Sequence, residues 1–279
     1  MRTLCGHQIF TVDIPSAGSE LAPPLLVLHG FPTSSFDFHQ VVDRMALGRR
    51  VLLFDMLGYG LSAKPDHGYR LSQQADIATA LVADLGLGQV GLLTHDMGDT
   101  VGGELLARQL EGTWEIEISD RTLTNGSIYL GLAHLSAGQL LLLQLPDERL
   151  PDDAPMDGAA VAAGVTDTFS PDSTVEGEEI AAMTEMITHL DGHLLLPRTI
   201  RYLEERRRSE ARYTGAIESH PSPLSVVWGS DDPIAVVAMT DRLAEARPDL
   251  ALQVLVGVGH YPMVEAPARF CEAVLGQLA

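Results

Sequence analysis

Short apolar runs alternate with a helical pattern through the first half of the chain, and this alternation limits the fold more than any other feature. Pro24 to His29, Arg50 to Asp55 and Val90 to His95 are apolar and end in turn residues, which is typical of buried parallel strands. Between the last two, Leu71 to Leu87 carries its apolar side chains on one helical face. Strands separated by helices predict an α/β fold with a mostly parallel central sheet flanked by helices.

The pattern changes after Asn125. Residues 126–219 are mainly helical, and the acidic stretch from Pro146 to Glu179, poor in aromatic residues, is expected to be mostly loop. Further strands are predicted at Leu224 to Trp228 and Ala251 to Val256, and a last helix at Ala266 to Leu278. We therefore expect a core domain in two parts, residues 1–125 and 220–279, with a helical cap at 126–219 inserted after the sixth strand.

Charge and composition exclude some classes of function. The net charge is −20, from 38 acidic and 18 basic residues, which argues against nucleic-acid binding because that depends on Lys and Arg. No apolar run is long enough for a membrane helix, and the first residues do not resemble a signal peptide. Two cysteines form no disulfide framework. We expect a cytoplasmic protein with no metal and no cofactor, and the oligomeric state stays open.

The strand ending in LLTHDMG indicates a sharp turn into a helix. Such a turn presents one side chain above the sheet and requires small residues on both sides, which Thr94 and Gly98 provide. The side chain so presented is Asp96, which makes it the candidate nucleophile. The alternative is that Asp96 only caps the helix that follows. We expect His95 to order the end of the strand by hydrogen bonding.

Three further motifs favour a catalytic site. The HGFP motif, which follows a strand end, consists of His29, Gly30, Phe31 and Pro32. The backbone N–H groups of Phe31 and Met97 would form an oxyanion hole, and the other three residues would shape it. Asp232, in WGSDDP, also follows a strand, and His260 stands in a glycine-rich loop after the last strand.

With these motifs, and with DMLGYGLSAKP after the second strong strand, the chain resembles the α/β-hydrolase superfamily over nearly its whole length. The resemblance implies the α/β-hydrolase fold and a triad in the order nucleophile, acid, histidine, matched here by Asp96, Asp232 and His260. HD at the turn is similar to the epoxide hydrolase and haloalkane dehalogenase branch. HGFPTSS, HDMGD and RYLEERRRSEARYTGAI most resemble the mesoderm-specific transcript subfamily.

An aspartate nucleophile implies a particular chemistry. Its carboxylate is ionised at neutral pH and can attack an sp³ carbon, which forms an alkyl ester of the enzyme. His260, oriented by Asp232, would then activate the water that hydrolyses the ester. Ordinary carboxylic esters are disfavoured substrates, because attack on them would give a high-energy anhydride. The expected partners are therefore a small apolar organic substrate and water.

Leaving-group assistance separates epoxides from halides. The dehalogenases that the chain resembles hold the halide with side-chain N–H donors, and the matching positions here, Met97 and Phe31, carry none. Epoxide hydrolases instead donate a proton from tyrosines of the cap, and the resemblance implies Tyr202 for this role, with Tyr129 as a second candidate. The leading hypothesis is an epoxide hydrolase. The alternatives are a haloalkane dehalogenase and, from another class, a non-catalytic receptor for small ligands.

Overall fold

The computed structural model describes residues 1–276. Its strands are β1 (Arg2–Leu4), β2 (His7–Ile9), β3 (Thr11–Ile14), β4 (Leu25–Leu28), β5 (Val51–Phe54), β6 (Gln89–His95), β7 (Glu117–Thr124), β8 (Leu224–Gly229) and β9 (Ala251–Leu255). The first two form a separate hairpin. The others form a seven-stranded sheet with the order β3-β5-β4-β6-β7-β8-β9, in which β3 is antiparallel to β5 and every other neighbouring pair is parallel. The predicted mostly parallel sheet is confirmed.

Helices cover the sheet and form the segment between β7 and β8. The helices are α1 (Val42–Met45), α2 (Leu71–Asp84), α3 (Met97–Leu110), α4 (Ala137–Gln144), α5 (Gly158–Thr166), α6 (Gly177–Thr188), α7 (Leu196–Thr199), α8 (Tyr202–Arg208), α9 (Glu210–Ser219), α10 (Ala238–Ala246), α11 (Pro262–Glu265) and α12 (Pro267–Gly276). Short 3₁₀ turns occupy Ser35–Phe38 and His189–Leu195. We call residues 126–219, which contain α4 to α9, the cap segment.

The central strands are apolar because both of their faces are covered. Every residue of β4 and of β5 is buried, as expected for a parallel sheet between two layers of helices. The strand β9 lies at one edge of the sheet, and its first three residues are exposed. Leu28 of β4 pairs with Thr94 of β6, so the HGFP motif and the turn after β6 leave the sheet side by side.

The acidic stretch is mostly loop, as expected, although it contains α5, whose Val161 and Val165 are buried and whose first turn is capped by the side chain of Asp157. Two other expectations about the elements need correction. Because the β1–β2 hairpin precedes the sheet, the cap segment follows the seventh strand of the chain, which is the fifth of the sheet. The last helix begins at Pro267, and its predicted end at Leu278 lies outside the described residues.

Candidate active site

The turn between β6 and α3 carries Asp96 in a strained backbone conformation. Asp96 has φ 50° and ψ −112°, a region that residues other than glycine rarely adopt. Neighbouring backbone comes so close that a Cβ atom on Gly98 would lie 2.3 Å from the carbonyl oxygen of Leu28. The Asp96 side chain makes no capping hydrogen bond to α3, so helix capping does not explain its position. Strain that packing imposes in this way is a common feature of functional sites.

The HGFP motif supplies a hydrogen bond to this aspartate. The backbone N–H of Phe31 donates to Asp96 Oδ2 at 2.9 Å. His29 Nε2 accepts the N–H of Met56 at 2.9 Å and therefore carries no proton, while its Nδ1 lies 2.8 Å from the Gly30 carbonyl. Burial lowers the pKa of His29, which favours this neutral form. As a neutral group, His29 thus bonds the HGFP motif to the backbone of Met56.

Gly30 and Met97 also lie close to Asp96. A Cβ atom on Gly30 would lie 2.8 Å from the Cβ of Asp96, so no larger residue fits there. Met97 follows Asp96 directly as the first residue of α3, where backbone N–H groups have no partner within the helix. The N–H of Phe31 thus contacts the Asp96 carboxylate, and the N–H of Met97 has no partner within α3.

Asp232 and His260 form a buried pair. His260 Nδ1 lies 2.8 Å from Asp232 Oδ2, and both residues are less than 5% exposed. The other oxygen of Asp232 accepts the N–H groups of Ile234 and Ala235 at 2.7 and 3.0 Å. These bonds hold the carboxylate so that it orients the imidazole.

Asn125 also contacts Asp232, and the sequence analysis did not identify it. Its Nδ2 donates to Asp232 Oδ2 at 2.8 Å, and its Oδ1 accepts the N–H of Gly229 at 3.0 Å. Asn125 follows β7 with φ 50°, a conformation that asparagine tolerates better than most residues. The sequence feature that could have identified Asn125 is its position directly after a buried strand.

Electrostatics favour the charged form of His260 in the resting protein. Burial lowers its pKa, but the negative charges of Asp232, Asp96 and Glu265 outweigh this, and together they raise the pKa to about 9. The raised pKa favours a protonated His260 near neutral pH. Any change that neutralises Asp96 removes one of the negative charges that raise the pKa of His260.

His95, the last residue of β6, makes its hydrogen bond to a distant loop. Its Nε2 donates to the backbone carbonyl of His260 at 2.8 Å, across a separation of 165 residues in the sequence. Burial is the first of the causes that lower the pKa of His95 well below its usual value, so the ring is neutral. Tyr261, which the sequence analysis also missed, packs its ring edge-on against that of His260 with the centroids 5.0 Å apart.

Comparison with known proteins agrees with this architecture. A model of the family described as "Alpha/beta hydrolase family" matches residues 25–273. The chain belongs to this family. The resemblance to α/β hydrolases that the motifs predicted is thereby confirmed.

Its relatives share most of the chain. LipZ of Mycobacterium tuberculosis is 39% identical over 260 residues, which covers 92% of this chain and 88% of LipZ. The mesoderm-specific transcript homolog protein of Bos taurus is 32% identical over 98% of this chain and 84% of its own. A solved α/β-hydrolase-fold protein from Burkholderia ambifaria superposes with a TM-score of 0.80 at 24% identity, over 99% of this chain and 96% of its own. Because the identity is below 25%, this similarity shows the fold alone.

The two tyrosine candidates of this α/β hydrolase occupy different environments. Tyr202, at the start of α8, is 3% exposed, and its ring lies 5.6 Å from that of Phe31. Burial and the nearby charge of Asp96 raise its pKa well above the usual value, so it stays a phenol. Its hydroxyl makes no hydrogen bond within residues 1–276. Tyr129, in contrast, donates its hydroxyl to Glu218 Oε1 at 2.8 Å, so the structure does not bring it to the site.

A cavity of about 170 Å³ lies between the core of the hydrolase and its cap segment. Phe31, Pro32 and His260 line it from the core, and mainly apolar residues of α4 and α5 line it from the cap segment. The polar side chains of Ser136 and Gln139 in its wall bond to the backbone of each other's residue. The cavity therefore suits an apolar group beside His260.

The described residues contain no group of three or more His, Cys, Asp or Glu side chains placed to hold a metal ion. Within residues 1–276, no helix combines the length and the apolar character needed to cross a membrane.

Proposed function

We propose that the protein is an epoxide hydrolase that uses Asp96 as its nucleophile and passes through an alkyl ester of that residue. The observation that carries the proposal is the strained turn, which presents a carboxylate where a serine hydrolase presents a hydroxyl. A carboxylate needs no base to become nucleophilic, and the Asp232–His260 pair is then free to act in the second step.

In the first step, a carboxylate oxygen of Asp96 attacks an epoxide carbon, and the bond from that carbon to the epoxide oxygen breaks. The oxygen takes a proton from the Tyr202 phenol. Support comes from the free hydroxyl of Tyr202 and from its electrostatic coupling to Asp96. The products are a hydroxyalkyl ester on Asp96 and a Tyr202 phenolate.

In the second step, His260 removes a proton from water, and the water oxygen attacks the carbonyl carbon of the ester. The N–H groups of Phe31 and Met97 would stabilise the resulting oxyanion. Collapse breaks the bond between the acyl carbon and the alkoxide oxygen, and the alkoxide takes the proton from His260. The second water proton, left on the Asp96 carboxyl, returns to Tyr202, so one water is added and a diol leaves.

Ester formation would itself prepare His260 for its role and stabilise the phenolate that Tyr202 has become. The charge of Asp96 contributes to raising the pKa of His260 and that of Tyr202. An ester carries no charge, so both pKa values fall once it forms. His260 then releases its proton to solvent and becomes a neutral base for water, and the Tyr202 phenolate is stabilised. When the diol leaves and Asp96 recovers its charge, His260 takes a proton back from solvent. Loss of the Asp96 charge would thus make ester hydrolysis follow ester formation.

The alternatives have less support. A dehalogenase needs donors for the halide, but the indole N–H of Trp228 is bonded to the Ala235 carbonyl at 2.8 Å and the Asn125 amide to Asp232. A non-catalytic receptor has no need of a buried Asp232–His260 pair. The solved structures of similar fold include an esterase, an epoxide hydrolase and a haloalkane dehalogenase, all under 25% identical, so they do not discriminate.

The cavity limits the size and the polarity of the substrate. An apolar cavity of about 150 Å³ can hold benzene, and the one beside His260 has about 170 Å³. We therefore propose neutral monosubstituted epoxides with an aryl or alkyl group of roughly that size, and we choose styrene oxide and 1,2-epoxyhexane as probes.

The test is His260→Gln, which blocks ester hydrolysis but leaves Asp96 able to attack. After incubation with the two epoxides and with 1-bromohexane, intact mass and peptide mapping would locate any adduct. The expected result is an adduct with the mass of the whole epoxide on the Asp96 peptide, absent from the Asp96→Asn, His260→Gln double variant. An adduct of the hexyl group alone would favour the dehalogenase. Diol formation by the Asp96→Asn single variant at the rate of the parent would refute the proposed nucleophile.

A further inference from the structure

Glu265, the last residue of α11, gathers three backbone N–H groups on its carboxylate. Oε2 accepts the N–H of Ser170 at 2.8 Å and that of Gly259 at 3.1 Å, and Oε1 accepts that of Tyr261 at 3.0 Å. Gly259 and Tyr261 flank His260 in the sequence, whereas Ser170 belongs to the cap segment. One side chain therefore bonds both to the histidine loop and to the cap segment.

Direct contacts accompany these bonds. The N–H of His260 donates to the carbonyl of Thr168 at 3.0 Å, and the hydroxyl of Ser170 donates to Asp231 at 3.1 Å. A Cβ atom on Gly259 would lie 2.3 Å from the backbone nitrogen of Ser170, so the two backbones touch. Thr168 and Ser170 are buried. The segment of the cap between α5 and α6 is thus packed against the loop that carries His260.

We propose that Glu265 is a positioning residue that fastens residues 168–170 of the cap segment to the histidine loop and thereby sets the position of His260. A carboxylate suits this role because it accepts several N–H groups at once without donating any. Charge-assisted bonds of this kind are about twice as strong as neutral ones. Its chemical consequence, faster hydrolysis of the Asp96 ester, rests on the proposed function, whereas the fastening itself is a property of the resting protein.

The same carboxylate acts on the charge of His260. Burial raises the pKa of Glu265, and its three N–H donors and the charge of His260 oppose that rise. The charged or titratable groups that interact electrostatically with His260 are Asp232, Asp96, Glu265, Asp37 and His95. Removal of the Glu265 charge is therefore expected to lower the pKa of His260 while the other groups stay in place.

The experiment compares Glu265→Gln with the parent by amide hydrogen exchange and by NMR titration of ¹³C-labelled histidine. The variant keeps the shape of the side chain, but it loses the charge and one acceptor. The amides of Ser170, Gly259 and Tyr261 should exchange at least tenfold faster, and the pKa of His260 should fall. Exchange within twofold of the parent at all three amides would overturn the proposal, whatever the activity.

Glu210→Gln is the matched control. Glu210 Oε1 accepts the N–H of Leu130 at 2.8 Å. This change therefore also removes charge from a carboxylate bonded to a cap backbone amide, but from one that makes no hydrogen bond to the histidine loop among the described residues. It should leave exchange of the three amides and the His260 pKa unchanged. Equal effects of both variants would overturn the specific role of Glu265. If Glu265→Gln lacks the circular dichroism spectrum of the parent, Glu265→Asp, which is shorter by one methylene, is judged by the same criteria.

Activity provides a separate measurement. In single-turnover experiments with styrene oxide, Glu265→Gln should hydrolyse the Asp96 ester about tenfold more slowly and form it at nearly the parent rate. A slowing of both steps to the same degree would contradict a role through His260. If the parent forms no ester with any epoxide, the proposed function fails, and amide exchange still decides the role of Glu265.

Discussion

His95 Nε2 donates to the carbonyl oxygen of His260 at 2.8 Å, so the residue just before the proposed nucleophile holds the proposed base. The bond is fully buried and joins the end of β6 to the histidine loop. A leucine at position 95 would leave that carbonyl without its donor, at a cost of about 1–3 kcal/mol.

We accordingly expect His95→Leu to lower the free energy of unfolding by that amount and to slow hydrolysis of the Asp96 ester more than its formation. Chemical denaturation and single-turnover kinetics measure the two effects. His39→Leu is the control and should change neither rate, because this exposed histidine contacts the Phe36 carbonyl and Glu179 and makes no bond to the histidine loop. An unaltered hydrolysis rate in His95→Leu would contradict the link between the two histidines.

The stability of the protein should depend on pH through His260. Its pKa rises from 6.5 in the unfolded chain to about 9 in the fold, for the causes given above. The protonated form therefore stabilises the fold fully below pH 6.5, and this contribution is lost as the pH rises through 9. With about 1.4 kcal/mol per pKa unit, the loss should be roughly 2–4 kcal/mol. Urea unfolding of the parent and of His260→Gln at pH 6 and pH 9.5 measures it, and the variant should show a clearly smaller loss.

Neutralising Asp96 should lower the pKa of His260. Asp96→Asn removes one of the charges that raise this pKa, much as ester formation would. NMR titration of the labelled histidine should therefore give a lower value in Asp96→Asn than in the parent. Asp241→Asn, which removes an exposed charge at the start of α10, should give the parent value. An unchanged pKa in Asp96→Asn would mean that the two groups are not coupled.

Tyr202→Phe should slow ester formation by about 100-fold or more, which is typical for loss of a general acid. Stability should hardly change, because the hydroxyl has no hydrogen-bond partner within residues 1–276. Tyr129→Phe is the matched control, since its hydroxyl bonds to Glu218, and diol formation should stay within twofold of the parent. Rapid kinetics with styrene oxide measures the rates of ester formation and of diol formation. Parent-like ester formation in Tyr202→Phe would remove Tyr202 from the mechanism.

Gly164 of α5 lines the cavity, and a Cβ atom added to it would meet nothing within 4 Å. Gly164→Leu should therefore fill part of the cavity without strain. The ratio of kcat/KM for styrene oxide to that for propylene oxide should fall about tenfold. Gly215→Leu, at a helical glycine of α9 that is equally open but outside the cavity wall, should leave the ratio unchanged. A constant ratio in Gly164→Leu would show that the substrate does not lie against α5.

Local patterns were sufficient for five of the seven strands of the sheet and for the turn that carries Asp96, whereas β3 and β7 were not predicted. Apolar runs such as β4 and β5 are buried on both faces, and such burial leaves a plain signal in the sequence. The small residue Gly98 is required because the carbonyl of Leu28 leaves no room for a side chain. The helix α5 escaped prediction because acidic residues around it obscured an apolar face of only two buried valines.

The sequence by itself determined five strands of the sheet, the sharp turn after β6 and the order in which Asp96, Asp232 and His260 occur, since each depends on neighbours within a few residues. Tertiary structure alone decided which distant groups meet. It brought Asn125 to Asp232 and Glu265 to the cap segment, and it turned Tyr129 toward Glu218 instead of the site. These contacts depend on strand order and on how the helices pack, and no local pattern encodes the direction of a single side chain across such a distance.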